Sequence, residues 1–449
     1  MILDRWRATG REIAVVGLAK SGLAVTLLLR REGVPVYASD RGGGPELEAG
    51  VSQVRAAGAE VQIGGHDLAR IARAGAVVVS PGVPPEAPPL DAARRAGVEI
   101  VSEVDVGWAG MRGVKYAVIT GTNGKTTTTA LSAHLLCAAG RRAIAAGNIG
   151  RRLAQVAMEP DRPEWIALEI SSFQLHDTHH LVPDVGVLTN LAPDHLDRYR
   201  RLEDYYADKA RLFGLSREAY WVTNEDDAAV QAMASGARGT PARFSLNRRA
   251  EAWYDRPTRR LMLGEAALLP REELMLLGDH NVANALAAVL VAHRAGGRPA
   301  DLARGLRSFR ALPHRLEPVR EVDGVLWIND SKATNVASTA VAVEALDRPF
   351  VLLLGGRHKG EPYTSLAGRM SGRCRGVVAY GESKEIILRD LEGLVPLVAG
   401  DSFEDVLARA RALAGKGDAV LLSPACSSYD MFENYEDRGA RFRAAVEAM

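Results

Sequence analysis

At 449 residues the chain is too long for one compact core, and ~100–200 residues per domain implies two to four domains. Hydrophobic residues at 47% and charged residues at 25% exclude wholesale disorder. A formal net charge of +1 speaks against a sequence-independent nucleic-acid binder, which would carry a surplus of Lys and Arg. Cys137, Cys374 and Cys426 make neither a disulfide framework nor a spaced metal site. No apolar run approaches the ~18 residues that span a bilayer. The longest, residues 285–292, stops at His293, and Asp4, Arg5 and Arg7 break up any apolar signal core. A soluble, cytoplasmic, monomeric protein with no membrane insertion is expected.

In chain order, residues 13–17 (Ile-Ala-Val-Val-Gly) predict a short strand running into Gly17 and Gly22. A helical pattern to about residue 31 and a second strand over 34–39, ending at Asp40, complete a β-α-β unit. A buried strand over 76–79 precedes a Pro-rich loop, and the first α/β block ends near Glu103-Val-Asp. A strand over 116–120 opens a second block, with further strands over 165–169 and 185–189. The stretch 241–275 alternates weakly and predicts small antiparallel strands, followed by a long helix over 280–295. A third block alternates strands over 325–328, 350–354, 377–380 and 419–422 with helical patterns, and such alternation implies parallel sheets.

The strongest chemical signal is Thr120-Gly-Thr-Asn-Gly-Lys-Thr-Thr-Thr128. A strand ends, glycines bare the backbone amides and a helix begins, so amides and helix dipole face a phosphate. Lys125 supplies a cation for the β/γ-phosphates and Thr126 a hydroxyl for Mg²⁺, although the first Gly of the usual P-loop falls at Ile119. Gly17-Leu-Ala-Lys-Ser-Gly22 is a degenerate dinucleotide turn with Asp40 near the ribose position; Ala19 argues against NAD, and a plain tight β-α turn remains an equal reading.

Glu169 in Glu-Ile-Ser-Ser-Phe-Gln-Leu, and His195 in Asn190-Leu-Ala-Pro-Asp-His-Leu-Asp-Arg, both follow strands at the carboxyl edge where ligands of parallel sheets collect. Both could face a cation held by Thr126, although oxygen ligands suit Mg²⁺ better than imidazole. Only eight of the 56 basic residues are lysines. Lys209, in Tyr205-Tyr-Ala-Asp-Lys-Ala, reads by itself as a solvated helix lysine, whose ammonium would repel Mg²⁺.

The third block carries Pro313-His-Arg315, Asn329-Asp-Ser-Lys-Ala-Thr-Asn335, Gly355-Gly-Arg-His-Lys-Gly360 and Ser423-Pro-Ala-Cys-Ser-Ser-Tyr429. Lys332 and Lys359, with the hydroxyls of Thr334, Ser427 and Ser428, suit carboxylates or phosphates. Cys426 lacks an assigned base and reads as a small buried thiol.

These islands, in this order and over essentially the whole chain, closely resemble the Mur ligases. Gly121-Thr-Asn-Gly-Lys-Thr126 is shared by the Mur and folylpolyglutamate ligase superfamily, whereas Asn329 to Asn335 and Leu422-Ser-Pro-Ala-Cys-Ser-Ser-Tyr-Asp-Met-Phe432 look like the D-glutamate-adding member. The resemblance implies an α/β protein of three domains. Residues 1–107 and 312–449 would be Rossmann-like parallel sheets, the first binding UDP and the second D-glutamate and part of ATP, around a central P-loop-type ATPase over 108–311. It implies ATP-dependent addition of D-glutamate to UDP-N-acetylmuramoyl-L-alanine through an acyl phosphate, in peptidoglycan precursor synthesis.

By position, the resemblance places ATP on Gly121, Thr122, Asn123, Gly124, Lys125, Thr126, Thr127, Asn284, Arg315 and Asp330. It places two Mg²⁺ ions near Thr126, Glu169, His195 and Lys209, with Lys209 carbamylated, and gives Lys125, Glu169, His195 and Lys209 the catalytic work. Ser21, Asp40, Asn148 and His195 fall on the muramoyl-nucleotide side, and Lys332, Thr334, Lys359, Ser428 and Tyr435 where D-glutamate is held. Ala19, Arg357-His358, Tyr429 and Tyr435 depart from the family pattern and blur the contacts at both substrate ends. A folylpolyglutamate synthetase-like ligase and a regulatory NTPase stay as alternatives.

Overall fold

The computed structural model describes residues 1–194 and 198–449, apart from the side chains of residues 45 and 46. They form two compact units: Met1–Arg271 with Ala283–Ser308, and Glu272–Val282 with Phe309–Met449.

The first unit holds two sheets. In one, β1 (Ile13–Val16), β2 (Val36–Asp40), β3 (Glu60–Ile63), β4 (Ala76–Val79) and β5 (Ile100–Ser102) are all parallel, in the order β3-β2-β1-β4-β5. β1 and β4 are buried along their whole length because helices cover both faces, which is why they read as unbroken apolar runs.

The second sheet comprises β6 (Lys115–Thr120), β7 (Ala143–Gly147), β8 (Trp165–Glu169), β9 (Val185–Leu188), β10 (Tyr220–Asn224), β11 (Thr240–Ser245), β12 (Ala252–Asp255), β13 (Arg260–Leu263) and β14 (Ala266–Pro270). Their order is β14-β13-β12-β11-β10-β9-β6-β8-β7. The carboxyl ends of the parallel β6, β8 and β9 adjoin one another, so the loops after them share one edge. The expectation of antiparallel strands over 241–275 holds for β12, β13 and β14 but not for β11, which pairs parallel to both β10 and β12. The helix Ala228–Ala234 returns the chain after β10, so β11 must run in the same direction, and weak alternation carries no information on direction.

In the second unit β15 (Glu317–Val322), β16 (Val325–Asn329), β17 (Phe350–Gly355), β18 (Cys374–Tyr380), β19 (Leu397–Ala399) and β20 (Ala419–Leu422) take the order β15-β16-β20-β17-β18-β19. Only β15, paired to β16, is antiparallel in this sheet. β17 and β20 are wholly buried, and the loops after β16, β17 and β20 emerge at one edge. The expected long helix runs over Asp279–Arg294. Among the described residues no helix is long and apolar enough to cross a membrane.

Candidate active site

The phosphate-type loop is built where β6 meets the helix Lys125–Ala138. Gly121 and Gly124 have φ of +147° and +80°. A Cβ on Gly124 would lie 2.2 Å from Asn284 Oδ1, and one on Gly121 2.0 Å from Thr189 Oγ1, so only glycine fits either position. The loop is tied to the segment after β9: the Thr122 amide donates to the Asn190 carbonyl at 2.9 Å and the Asn123 amide to Asn190 Oδ1 at 2.8 Å. The Lys125 ammonium folds back onto the carbonyls of Gly121 (3.0 Å) and Thr122 (2.8 Å). Thr126 and Thr127 lie in the first turn of the helix, and Asn284 accepts from the Thr128 hydroxyl at 3.2 Å.

Glu169 ends β8 and is buried. Its Oε1 accepts from Asn148 Nδ2 at 3.0 Å, whereas Oε2 is buried with no hydrogen-bond partner among the described residues. A buried carboxylate oxygen left in this way is costly unless a cation or donor completes it. Lys209 corrects the reading of a solvated helix lysine, because it is 1% exposed. Its Nζ donates to the Gly121 carbonyl at 2.7 Å and sits 4.7 Å from the centre of the Tyr205 ring. Burial, reinforced by the charge of Lys125, pulls its pKa down to about 6. The neighbouring Asp208 pins this helix, accepting from the Tyr199 hydroxyl (3.0 Å) and Arg211 (3.1 Å) and bonding the His176 ring (2.8 Å). His195 lies outside the described residues. Among those described, no group of three or more His, Cys, Asp or Glu gathers for a metal.

A cavity of about 920 Å³ opens on the first sheet and is lined by Ser21, Asp40 and Asn148 together with the loop after β4. Asp40 is fixed by accepting the amides of Leu18 (2.6 Å) and Gly42 (2.7 Å). Residues from separate stretches of the sequence therefore line one cavity.

In the second unit Asp330 follows β16, and burial pushes its carboxyl up to about 7. It accepts the Leu316 amide at 3.1 Å and the Ser423 hydroxyl at 2.8 Å. Arg315 stands between His314 (φ 64°) and Leu316 (φ 42°), two left-handed non-glycine residues, a strained geometry frequent at functional sites. Lys332 Nζ donates to the Tyr435 hydroxyl at 3.1 Å, and Lys359 Nζ to the Thr334 hydroxyl at 3.4 Å. Ser428 is buried, its carbonyl accepting the Phe432 amide at 2.9 Å. Burial raises the pKa of the Cys426 thiol, which contacts the Tyr363 hydroxyl at 2.8 Å, as befits an inert core thiol.

One organising residue escaped the motif reading. Arg438 is fully buried and donates to the Ser331 hydroxyl (2.9 Å) and carbonyl (2.8 Å) and to the carbonyls of Cys426 (3.2 Å) and Gly355 (3.4 Å). It thus ties together the loops after β16, β17 and β20. A single Arg in an Arg-rich chain gives no local signal of this.

Three family models cover most of the chain: a Mur ligase MurD-like N-terminal domain over residues 11–102, a Mur ligase middle domain over 119–292 and a Mur ligase, glutamate ligase domain over 314–426. The UDP-N-acetylmuramoylalanine–D-glutamate ligase of Myxococcus xanthus is 40% identical over 454 residues, 98% of this chain and 99% of that relative. The chain belongs to the Mur ligase family. A ligase of the same name from Acidobacterium capsulatum is likewise 40% identical, over 98% of this Mur ligase and 96% of the relative. Among solved structures, a UDP-N-acetylmuramate-alanine ligase from Thermotoga maritima matches 98% of this chain and 99% of its own at TM-score 0.59 and 18% identity. A pseudomurein peptide ligase type C from Methanothermus fervidus matches 97% and 100% at TM-score 0.58 and 18% identity. At that identity both show the Mur ligase fold alone.

Proposed function

We propose that this Mur ligase joins D-glutamate to UDP-N-acetylmuramoyl-L-alanine with hydrolysis of ATP, as a cytoplasmic monomer supplying peptidoglycan precursors. The observation that carries this reading is the likeness at 40% identity, along almost the full chain, to relatives named for that one activity. Domains over 1–107, 108–311 and 312–449 would hold UDP, ATP and D-glutamate respectively.

A carboxylate and an amine do not condense in water, so the L-alanyl carboxylate first takes the γ-phosphoryl group of ATP and becomes an acyl phosphate. The D-glutamate nitrogen then attacks the carbonyl carbon, loses a proton and expels phosphate from a tetrahedral intermediate. The amides of residues 121–127 cradle the phosphates, and the Lys125 ammonium offsets charge on the transferring group. The Thr126 hydroxyl, the orphaned Glu169 Oε2, His195 and a carbamylated Lys209 would hold the Mg²⁺ ions. Bound there, Mg²⁺ supplies Lewis-acid neutralisation of the phosphoryl oxygens. Lys209 suits carbamylation because its buried amine is largely unprotonated near neutral pH. The neutral nitrogen attacks CO₂, one proton leaves, and the amine becomes an oxygen-bearing anion.

Asn284, Arg315 and Asp330 would complete the nucleotide site. Lys332, Thr334, Lys359, Ser428 and Tyr435 would hold the two carboxylates of D-glutamate, and Ser21, Asp40 and Asn148 the muramoyl nucleotide. Phosphate release measured with UDP-N-acetylmuramoyl-L-alanine against a panel of amino acids is the test. Release strictly dependent on both co-substrates and selective for D-glutamate is expected. Release without an amine, or with a folate acceptor, would overturn the reading.

A further inference from the structure

Two consecutive arginines after β7 take opposite courses. Arg151 reaches the surface, where its Nη1 binds both carboxylate oxygens of Glu159 at 2.7 and 2.6 Å. Arg152 lines the large cavity of the first unit. It has no carboxylate within ion-pair distance among the described residues: its Nη1 donates to the neutral carbonyl of Gly147 at 2.8 Å, and its Nε is buried without an acceptor. The acid its charge reaches is Glu103, which makes no ion pair with it: Glu103 Oε1 accepts the Ala154 amide at 2.7 Å and Oε2 is buried without a partner among the described residues. A guanidinium that lines a cavity with no direct ion pair among the described residues keeps donors for an anion from outside the chain.

The backbone that carries it is braced. The Arg152 amide donates to Gln155 Oε1 at 2.9 Å, the Gly147 amide to the Arg151 carbonyl at 2.9 Å, and the Asn148 amide to the Glu169 carbonyl at 2.9 Å. Ser21, in the first turn of the helix Lys20–Arg31, lines the same cavity. Of the anions on the muramoyl nucleotide, the L-alanyl carboxylate must lie at the phosphate loop to be phosphorylated. That leaves the diphosphate for this wall.

We infer that Arg152 binds the diphosphate of the nucleotide-sugar substrate, its planar fork matching two phosphate oxygens. The inference rests on the reading of this cavity as the muramoyl-nucleotide site.

Calorimetry on the full chain with UDP and uridine as probes, joined to steady-state kinetics, tests it. R152A should weaken UDP ~10- to 100-fold, the loss of one or two charge-assisted hydrogen bonds, and leave uridine unchanged. It should raise the KM for UDP-N-acetylmuramoyl-L-alanine by a similar factor without moving those for ATP and D-glutamate. R151A should match the wild type. R152Q, neutral and similar in length, carries the test if R152A does not fold. UDP bound by R152Q or R152A as tightly as by the wild type, or an equal loss for uridine, overturns the assignment of Arg152 alone. A wild-type protein that binds neither UDP nor the muramoyl nucleotide overturns the reading of the cavity, and the inference with it.

Discussion

Replacing Lys209 by Ala, and separately by Arg, tests the metal site most directly. At pH 7.5 an amine titrating at about 6 is about 97% neutral, whereas a solvated lysine near 10.4 is about 0.1% neutral. Burial therefore raises the fraction able to take up CO₂ by roughly three orders of magnitude. Charge stabilisation around a transferring phosphoryl group is worth several kcal/mol. Loss of the proposed carbamate oxygens should accordingly lower kcat about a hundredfold or more, since each ~1.4 kcal/mol is tenfold. Arg cannot be carbamylated and keeps a cation beside Lys125, so Lys209→Arg should be at least as impaired as Lys209→Ala. Phosphate release would be followed with saturating substrates in CO₂-depleted buffer and again with added bicarbonate. Bicarbonate should raise wild-type activity and leave both variants unmoved, and a short-chain carboxylic acid should partly restore Lys209→Ala. CO₂ uptake needs the neutral amine, so the bicarbonate response should fade as pH drops through about 6. Full activity of Lys209→Ala in CO₂-depleted buffer would refute the reasoning.

Other outcomes follow from the same structure. Arg438→Ala strips four buried acceptors of their donor and should cost about 3–5 kcal/mol in urea unfolding; a loss under about 1 kcal/mol would show that the three loops hold without it. Lys359→Ala should raise the KM for D-glutamate roughly ten- to a hundredfold and spare that for the muramoyl nucleotide. Impairment of the muramoyl substrate alone would reverse the assignment.

The sequence alone determined the parallel core strands and the phosphate loop, because those features are written locally. β1, β4 and β17 are buried on both faces and must be apolar throughout, and the loop's positive φ at residues 121 and 124 is a local demand that favours glycine. The partly exposed edge strand β3 carries no such run, and β7 offers only Ala-Ile-Ala-Ala-Gly with a single β-branched residue, so both went unread. Family resemblance named Lys209, but its chemistry came from elsewhere in the chain: the Gly121 carbonyl that its amine meets lies 88 residues earlier. Sequence could not show that Glu169 would bury one oxygen without a partner among the described residues, that Arg438 would gather three loops, or that Arg151 would find a carboxylate while Arg152 turned to a cavity. Burial and charge compensation depend on which distant segments the fold brings alongside, and side chains of one type acquire different protonation and partners from those neighbours.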